Sequence, residues 1–422
     1  MPDENTPTNS PRPGSVRSAL RSRDFRVIFI CSFSSQIGTW MQNVVLPAYI
    51  YHRTDSAAMV AYLVFAQLGP QLILSIPAGV MADKYDRRKW LFAMQYIQIT
   101  CSLGLAPLAA SNAPIWMLFV MQLGVGIGNS LNAPAWSALL PSLVPREDLP
   151  GAISLNSTVI NGSRVIGPII VALLSSVGVT TAEFFVINAA TYLFVVFALA
   201  QITIPPAVRH NMEEGWRQFT SGIRIVRARP ALVRLLLTMC SFSLLSLSYV
   251  GLFPAVARNN FHIDESTSLY RWLYATWAFG AFAGGLSLGT FFVSYDKRKL
   301  VQAGFGMFAV GMIGFALSGS AVPAFITGAI LGFAYFFTTT SMNTILQSRL
   351  EQSVRGRVMS LWFLAFGGTI PIGNMIFGPV IDRYGVKTML FIGAAWALVL
   401  MWWCNLRTVD EKFPAGAQLP ES

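Results

Sequence analysis

Charge is what this 422-residue chain has least of. Asp, Glu, Lys and Arg together make up 12% of it, against 54% for hydrophobic residues, and the mean hydropathy is +0.54. A soluble protein of this size needs far more charge to cover its surface, so a water-soluble enzyme is excluded. Acidic residues are scarcest, 19 against 30 basic, and there are three histidines and four cysteines. Cys31, Cys101, Cys240 and Cys404 fall inside apolar runs at no metal-ligand spacing, so neither a disulfide framework nor a metal centre is expected. There is no P-loop, which removes an ATP-driven pump, and GVGIGN at 124–129 lies mid-run without the third glycine of a dinucleotide loop. No catalytic constellation is expected. Residues 1–24 are polar and rich in Pro, Ser and Arg, with no apolar core of a cleavable leader, and read as a disordered tail.

What the chain has in abundance is long apolar stretches. Crossing about 30 Å of hydrocarbon takes roughly 20 apolar residues. Twelve such runs occur, near 25–50, 58–82, 90–111, 114–140, 152–178, 180–204, 231–257, 269–293, 298–319, 321–347, 357–382 and 384–406. In hydrocarbon the backbone must satisfy its own hydrogen bonds, so the expected fold is an all-α membrane protein of twelve transmembrane helices. With the N-terminus taken as cytoplasmic, 24 of the 30 basic residues fall on the cytoplasmic side and five on the other, which sets both termini inside. The same spread over many short loops leaves no dense patch for nucleic acid; the expected partners are a small molecule and the bilayer, and the expected state is a monomer.

The chain repeats itself. YDRRK at 85–89 and YDKRK at 295–299 stand 210 residues apart, and the GxxxG strings at 124–128 and 328–332 stand 204 apart. SVGVTT at 176–181 and RYGVKT at 383–388 pair at a similar offset. Two six-helix halves in parallel repeat, 25–204 and 231–408, follow from this. They are joined by a linker at 205–230 whose Trp216, Phe219, Ile223 and Val226 share one helical face, and 409–422 forms a C-terminal tail. Duplicated bundles of this kind hold substrate between the halves at mid-membrane depth and rock one half against the other.

GVMADKYDRRK at 79–89 resembles the signature loop of the major facilitator superfamily, with Gly79, Asp83, Lys84, Arg87 and Arg88 matching and Asp86 where many members have glycine. NAPAWSALLPSLVPREDLPGAISLNS at 132–157 and NGSRVIGP at 161–168 resemble the branch that includes bacterial siderophore and multidrug exporters. The likeness spans about 20–408. It implies a secondary exporter of small amphipathic compounds across a bacterial cytoplasmic membrane, driven by the proton gradient with no bound cofactor. A lipid transporter or an uptake carrier on the same fold is the alternative.

The resemblance also implies that Asp83 latches the cytoplasmic side by facing Arg355 and Arg357. The second copy of the loop has Val293 at the equivalent place, so a single acidic latch is expected, and the basic loops could equally be simple anchors. Arg164 is the one basic residue deep within a run. A buried charge costs roughly 2.5–3.5 kcal/mol on insertion scales, so it should face the interior together with Asn161 one turn earlier. Gly167 and Pro168 follow, where a proline permits a bend. Arg164 either binds an anionic group, organises that bend, or is a structural charge. No acid lies at mid-depth in any run, and Gln122 stands near the place where many drug antiporters carry a basic residue, so no proton carrier is evident. The expected cavity lining is polar, uncharged and aromatic: Gln36, Trp40, Met41, Asn43, Gln67, Asn129, Asn132 and Trp136 from the first half, and Tyr249, Tyr335, Thr338, Asn343, Trp362 and Asn374 from the second. Any of these could instead pack one helix on another.

Overall fold

The computed structural model describes residues 14–204 and 212–404; within its helices the side chains at 75, 76, 80, 82, 83, 212–216, 218, 219, 352 and 353 lie outside the description. Sixteen α-helices follow one another with no strand among the described residues. They are α1 (Val16–Ala19), α2 (Arg23–Thr54), α3 (Ala57–Lys84), α4 (Arg87–Ala110), α5 (Ile115–Leu139), α6 (Leu149–Ser176), α7 (Thr181–Gln201), α8 (Met212–Arg227), α9 (Pro230–Leu245), α10 (Phe253–Phe261), α11 (Ser268–Thr290), α12 (Lys297–Leu317), α13 (Ala321–Ser348), α14 (Gln352–Phe363), α15 (Thr369–Tyr384) and α16 (Val386–Trp403). Two pairs act as single broken spans. A 3₁₀ turn at Ser248–Val250 leads from α9 towards α10, and a π-turn at Leu364–Gly368 joins α14 to α15. Twelve traverses result, six in each half.

Ten of these traverses are long and apolar enough to cross a membrane on their own. The other two, α2 and α11, are long enough but carry Gln36, Trp40, Gln42 and Asn43, and Tyr270, Trp272, Tyr274 and Trp277. Polar and aromatic side chains lower their hydropathy because several of them turn inward to a cavity.

Short polar residues start the helices. Ser22, Ser56, Asp86 and Asp296 cap α2, α3, α4 and α12 through their side chains, and Thr180 with Glu183 forms a capping box on α7. Two of these caps explain the repeated loop. In YDRRK and YDKRK the aspartate accepts a hydrogen bond from the backbone of Lys89 or Arg298 and opens the next span in each half. Glycines within both repeated strings also let helices approach closely, though not at the same place in each string. A side chain at Gly126 would meet the α3 backbone at Gln67, and one at Gly332 would meet the α11 backbone at Trp277, so equivalent helix pairs touch closely in both halves.

The face that carries α1 and the two basic loops is called the basic face here, and its opposite the far face. The tail differs from expectation. Residues 14–22 are docked and not loose: the Gly14 amide donates to Asp148 Oδ1 at 3.0 Å, the Ser22 hydroxyl donates to the Leu143 carbonyl at 2.7 Å, and Ala19 is buried. This docking buries the apolar Ala19 and gives the Asp148 carboxylate, just before α6, a donor. The linker forms α8, whose Val226 enters the core and whose Gly222 lies against the α14 backbone at Arg357. The Trp216 and Phe219 side chains lie outside the described residues.

Candidate transport cavity and gates

A cavity of about 740 Å³ lies between the halves at mid-depth, a volume suited to a drug-sized ligand. From the first half, α2 contributes Trp40 and Asn43, α3 contributes Gln67 and Gln71, and α6 contributes Ser157, Asn161 and Arg164. From the second half come Tyr270, Tyr274 and Trp277 on α11, Tyr335 and Phe336 on α13, and Val250, Gly251, Phe366 and Gly367 from the two broken spans. Non-regular backbone is tolerated at membrane depth where it borders such a space. Close contacts fix the scaffold. A side chain on Gly167 would come within 2.6 Å of Trp40 Cβ and 3.1 Å of the Ile37 carbonyl, so only glycine lets α6 approach α2 here. Pro168 is buried inside α6, which stays helical through it.

Arg164 is the one charged side chain in this lining among the described residues. Its guanidinium carbon stands 5.2 Å from the Trp40 ring centroid and 5.3 Å from that of Phe336, one ring from each half. Cation–π contacts of this kind contribute about 0.5–2 kcal/mol each, but they supply no counter-charge. Its Nε is buried without a hydrogen-bond partner, and no carboxylate among the described residues reaches it. Asn161 shares the cavity face as its spacing predicts, with its Nδ2 donating to the Ser157 carbonyl at 2.9 Å. Gln67 donates to Asn43 Oδ1 at 2.6 Å across α3 and α2.

Other expected lining residues lie elsewhere. Gln36, Asn129, Asn132 and Trp136 border a smaller pocket inside the first half. Asn374 is fully buried and packs where Gly251 lacks a side chain, and Asn343 accepts a hydrogen bond from Gln347 outside the cavity. Tyr249, Thr338, Trp362 and Met41 are core residues; the Tyr249 hydroxyl accepts from Trp277 Nε1 at 2.9 Å and so holds the cavity wall. Thr338 donates to the Ala334 carbonyl of its own helix, as Asn343 accepts from Gln347 of the same helix, and sequence spacing does not specify which way such residues turn. Gln122, Gln42, Ser102 and Asn188 form a closed buried network, with Gln42 donating to Gln122 at 2.9 Å and accepting from Ser102 and Asn188 at 2.7 Å.

The halves are tied together on the far face. Asp382, at the C-terminal end of α15, accepts from the Ser56 hydroxyl at 2.7 Å and from the amides of Ala57 and Ala58 at 2.7 and 3.0 Å, capping the N-terminus of α3. His52 Nδ1 lies 3.2 Å from Glu265 Oε1, which also accepts from Arg258 at 2.9 Å, and Asn259 donates to the Tyr51 hydroxyl at 2.9 Å. Glu265 is fully buried although it sits in a loop, with Oε2 unpartnered. Its neighbour Asp264 is held below the usual carboxylate range by hydrogen bonds from the Ser266 hydroxyl and amide. The far face is therefore the closed one.

The latch expected on the basic face turns on Asp83, whose side chain lies outside the described residues. Arg355 is exposed, Arg357 donates to Ser221 on α8 at 2.9 Å, Arg88 donates to the Ala200 carbonyl at 2.6 Å, Lys84 lies 5.8 Å from the Tyr85 ring, Arg87 is buried with its Nε unpartnered, and Gly79 has open space around it. Glu265, in a loop, and His52, in the last turn of α2 beyond its apolar run, gave no span signal and were missed; the aromatic run LYRWLYATW at 269–277 could have shown the α11 wall.

Residues 15–421 match the family described as transmembrane secretion effector. The enterobactin exporter EntS of Shigella boydii serotype 18 is 27% identical over 355 residues, 80% of each chain, and EntS of Escherichia coli O157:H7 is similar to the same degree. Among solved structures, a bacterial homologue of the human lysosomal transporter Spinster in an inward-facing, unoccupied conformation superposes with a TM-score of 0.73 at 15% identity, covering 95% of this chain and 99% of that one. The nucleoside transporter NupG does so with 0.73 at 12% identity, covering 93% and 100%. With two six-helix halves around a cavity and a family match over almost its whole length, this multi-pass membrane protein belongs to the transmembrane secretion effectors of the major facilitator superfamily.

Proposed function

We propose that the chain exports anionic, aromatic-bearing small molecules, of which catecholate siderophores are one class, across the bacterial cytoplasmic membrane. The observation that carries this reading is Arg164: among the described residues, a lone cation in a large aromatic cavity with no carboxylate beside it. An anion entering that space gains a charge-assisted, two-pronged contact and aromatic walls for its rings. The enterobactin exporters similar to this chain support the direction and the class of cargo. The basic face is then cytoplasmic, and closure of the far face corresponds to a carrier open to its cargo, working as a monomer.

Proton antiport is proposed as the energy source, through groups outside the cavity. His52 and Glu265 join the halves where the periplasmic gate would part, so a change of charge at that contact would bear on closure. A proton taken up there from outside would favour the His52–Glu265 pair and the return of the empty carrier.

The test is uptake into inside-out vesicles of 2,3-dihydroxybenzoate and of the cation ethidium. Arg164→Ala should lower transport of the anion about 10–100-fold, the equivalent of roughly 1.5–3 kcal/mol for a hydrogen-bonded charge. Arg164→Lys should restore part of it, because an ammonium offers a point charge in place of a planar fork. Equal loss for both compounds would assign Arg164 to shaping the helix, and full activity of Arg164→Ala would remove it from transport.

A further inference from the structure

A second pocket, of about 250 Å³, lies wholly inside the first half, between α2, α4, α5, α6 and α7. It shares no lining residue with the cavity. Helix α6 divides them: Ser157, Asn161 and Arg164 face the cavity, while Asn156 faces the pocket. Six carboxamides converge on it, those of Gln36, Gln95, Gln98, Asn129, Asn132 and Asn156. Gln95 and Gln98 are 3% and 2% exposed, and Gln95 Oε1, Gln98 Nε2 and Asn132 Oδ1 are buried with no hydrogen-bond partner.

That is unusual company. Buried polar groups in folded proteins are almost always paired, and leaving one unpaired costs about 1–3 kcal/mol. The same half shows the ordinary solution at Gln42, Gln122, Ser102 and Asn188, which satisfy one another. The six-carboxamide pocket instead leaves three buried polar atoms, on Gln95, Gln98 and Asn132, without partners beside a shared space. No charged group lines it among the described residues, which does not suit an ion. A carboxamide both donates and accepts, as a hydroxyl does, and the Trp136 indole and the Tyr192 ring add flat apolar surfaces. These are the requirements of a pyranose, whose rim is hydroxyls and whose faces are C–H.

We propose that this pocket is a second ligand site, for a neutral polyhydroxylated group of about monosaccharide size. Every lining residue belongs to one half, so rocking of the halves leaves the pocket intact. Its occupant stays with the first half and is not the cargo of the central cavity.

The experiment measures equilibrium binding of radiolabelled glucose to the full chain in nanodiscs free of glycosidic detergent, by scintillation proximity. Displaceable binding is expected, with glucosamine and glucuronate, the cationic and anionic versions of the same ring, at least tenfold weaker as competitors. The double variant Gln95→Leu, Gln98→Leu should lose the signal, and Arg164→Ala should retain it, which separates this site from the transport reading. If the double variant is not recovered as a monodisperse protein, Asn156→Leu at the pocket edge takes its place with a tenfold weaker signal expected. No displaceable glucose, as for a pocket that holds water alone, would overturn the proposal. So would equal competition by glucuronate, or unchanged binding in the variants.

Discussion

Replacing Asp382 by asparagine tests the far-face closure most directly. The carboxylate caps the first turn of α3 with three hydrogen bonds from Ser56, Ala57 and Ala58, and it does so from the opposite half of the molecule. A negative charge at a helix N-terminus is worth about 0.3–1 kcal/mol, and hydrogen bonds to a charged acceptor add to it. Asparagine keeps the shape and one acceptor oxygen. Because Asp382 is exposed and solvent-screened, the loss is set at roughly 1–1.5 kcal/mol, about tenfold in the ratio of closed to open far face. A population of about 90% closed would fall towards half. Spin labels on the exposed residues Val177 and Val322, one on the far face of each half, would read this as growth of a longer-distance component in double electron–electron resonance. Arg383→Gln, which removes the adjacent charge without touching the cap, should leave the distribution as it is. An unchanged distribution in Asp382→Asn, or an equal shift in the arginine control, would show that the cap does not hold the gate.

Glu265→Gln should loosen that gate: it removes the buried carboxylate that His52 meets from the other half and that Arg258 pairs with, so the same labels should show growth of the longer-distance component; an unchanged distribution would take Glu265 out of the closure. Gly167→Leu forces a side chain into Trp40 and the Ile37 carbonyl, so it should lower thermal stability by about 1–3 kcal/mol and block transport of every substrate alike, as read by a melting curve beside vesicle uptake. The Asp148 carboxyl is held low by the Ser18 hydroxyl and then the Gly14 amide, so its hold on the tail is present above the ordinary carboxylate range and is lost as pH falls through its own lowered value. Hydrogen exchange of residues 14–20 should therefore stay slow at pH 5 in the wild type and become fast in Asp148→Ala; slow exchange in the variant would place the docking elsewhere.

The twelve traverses, the two halves and Arg164 were legible in the sequence because hydrocarbon imposes its own grammar: long apolar runs, basic loops on one side, and a buried charge that must face inward. The Asn161 and Arg164 spacing carried over for the same reason, one helical turn fixing one face. What sequence could not supply was which of two inward faces a polar residue takes. Gln36 and Trp40 are four residues apart on α2, yet they border different spaces, because α6 runs between them and neighbouring helices decide the rest. The far-face gate was hidden in another way. Asp382 reads as the end of a span and Glu265 as a loop residue, and only the meeting of distant segments makes them a lock.

The solitary guanidinium has an electrical consequence. Under the proposed function, an anion paired with Arg164 crosses as a neutral complex, so the loaded step is indifferent to the membrane potential. The empty carrier then returns with an uncompensated positive charge, moving towards the negative interior. The cargo and Arg164 together thus carry one negative charge outward per cycle, and the antiported proton adds a second charge in the same electrical sense; an inside-negative potential favours each by up to about 2.3 kcal/mol per 100 mV for full passage of the field. The battery of the membrane thus pulls on this transporter at its idle stroke, and cargo of opposite sign would have to be pushed against it.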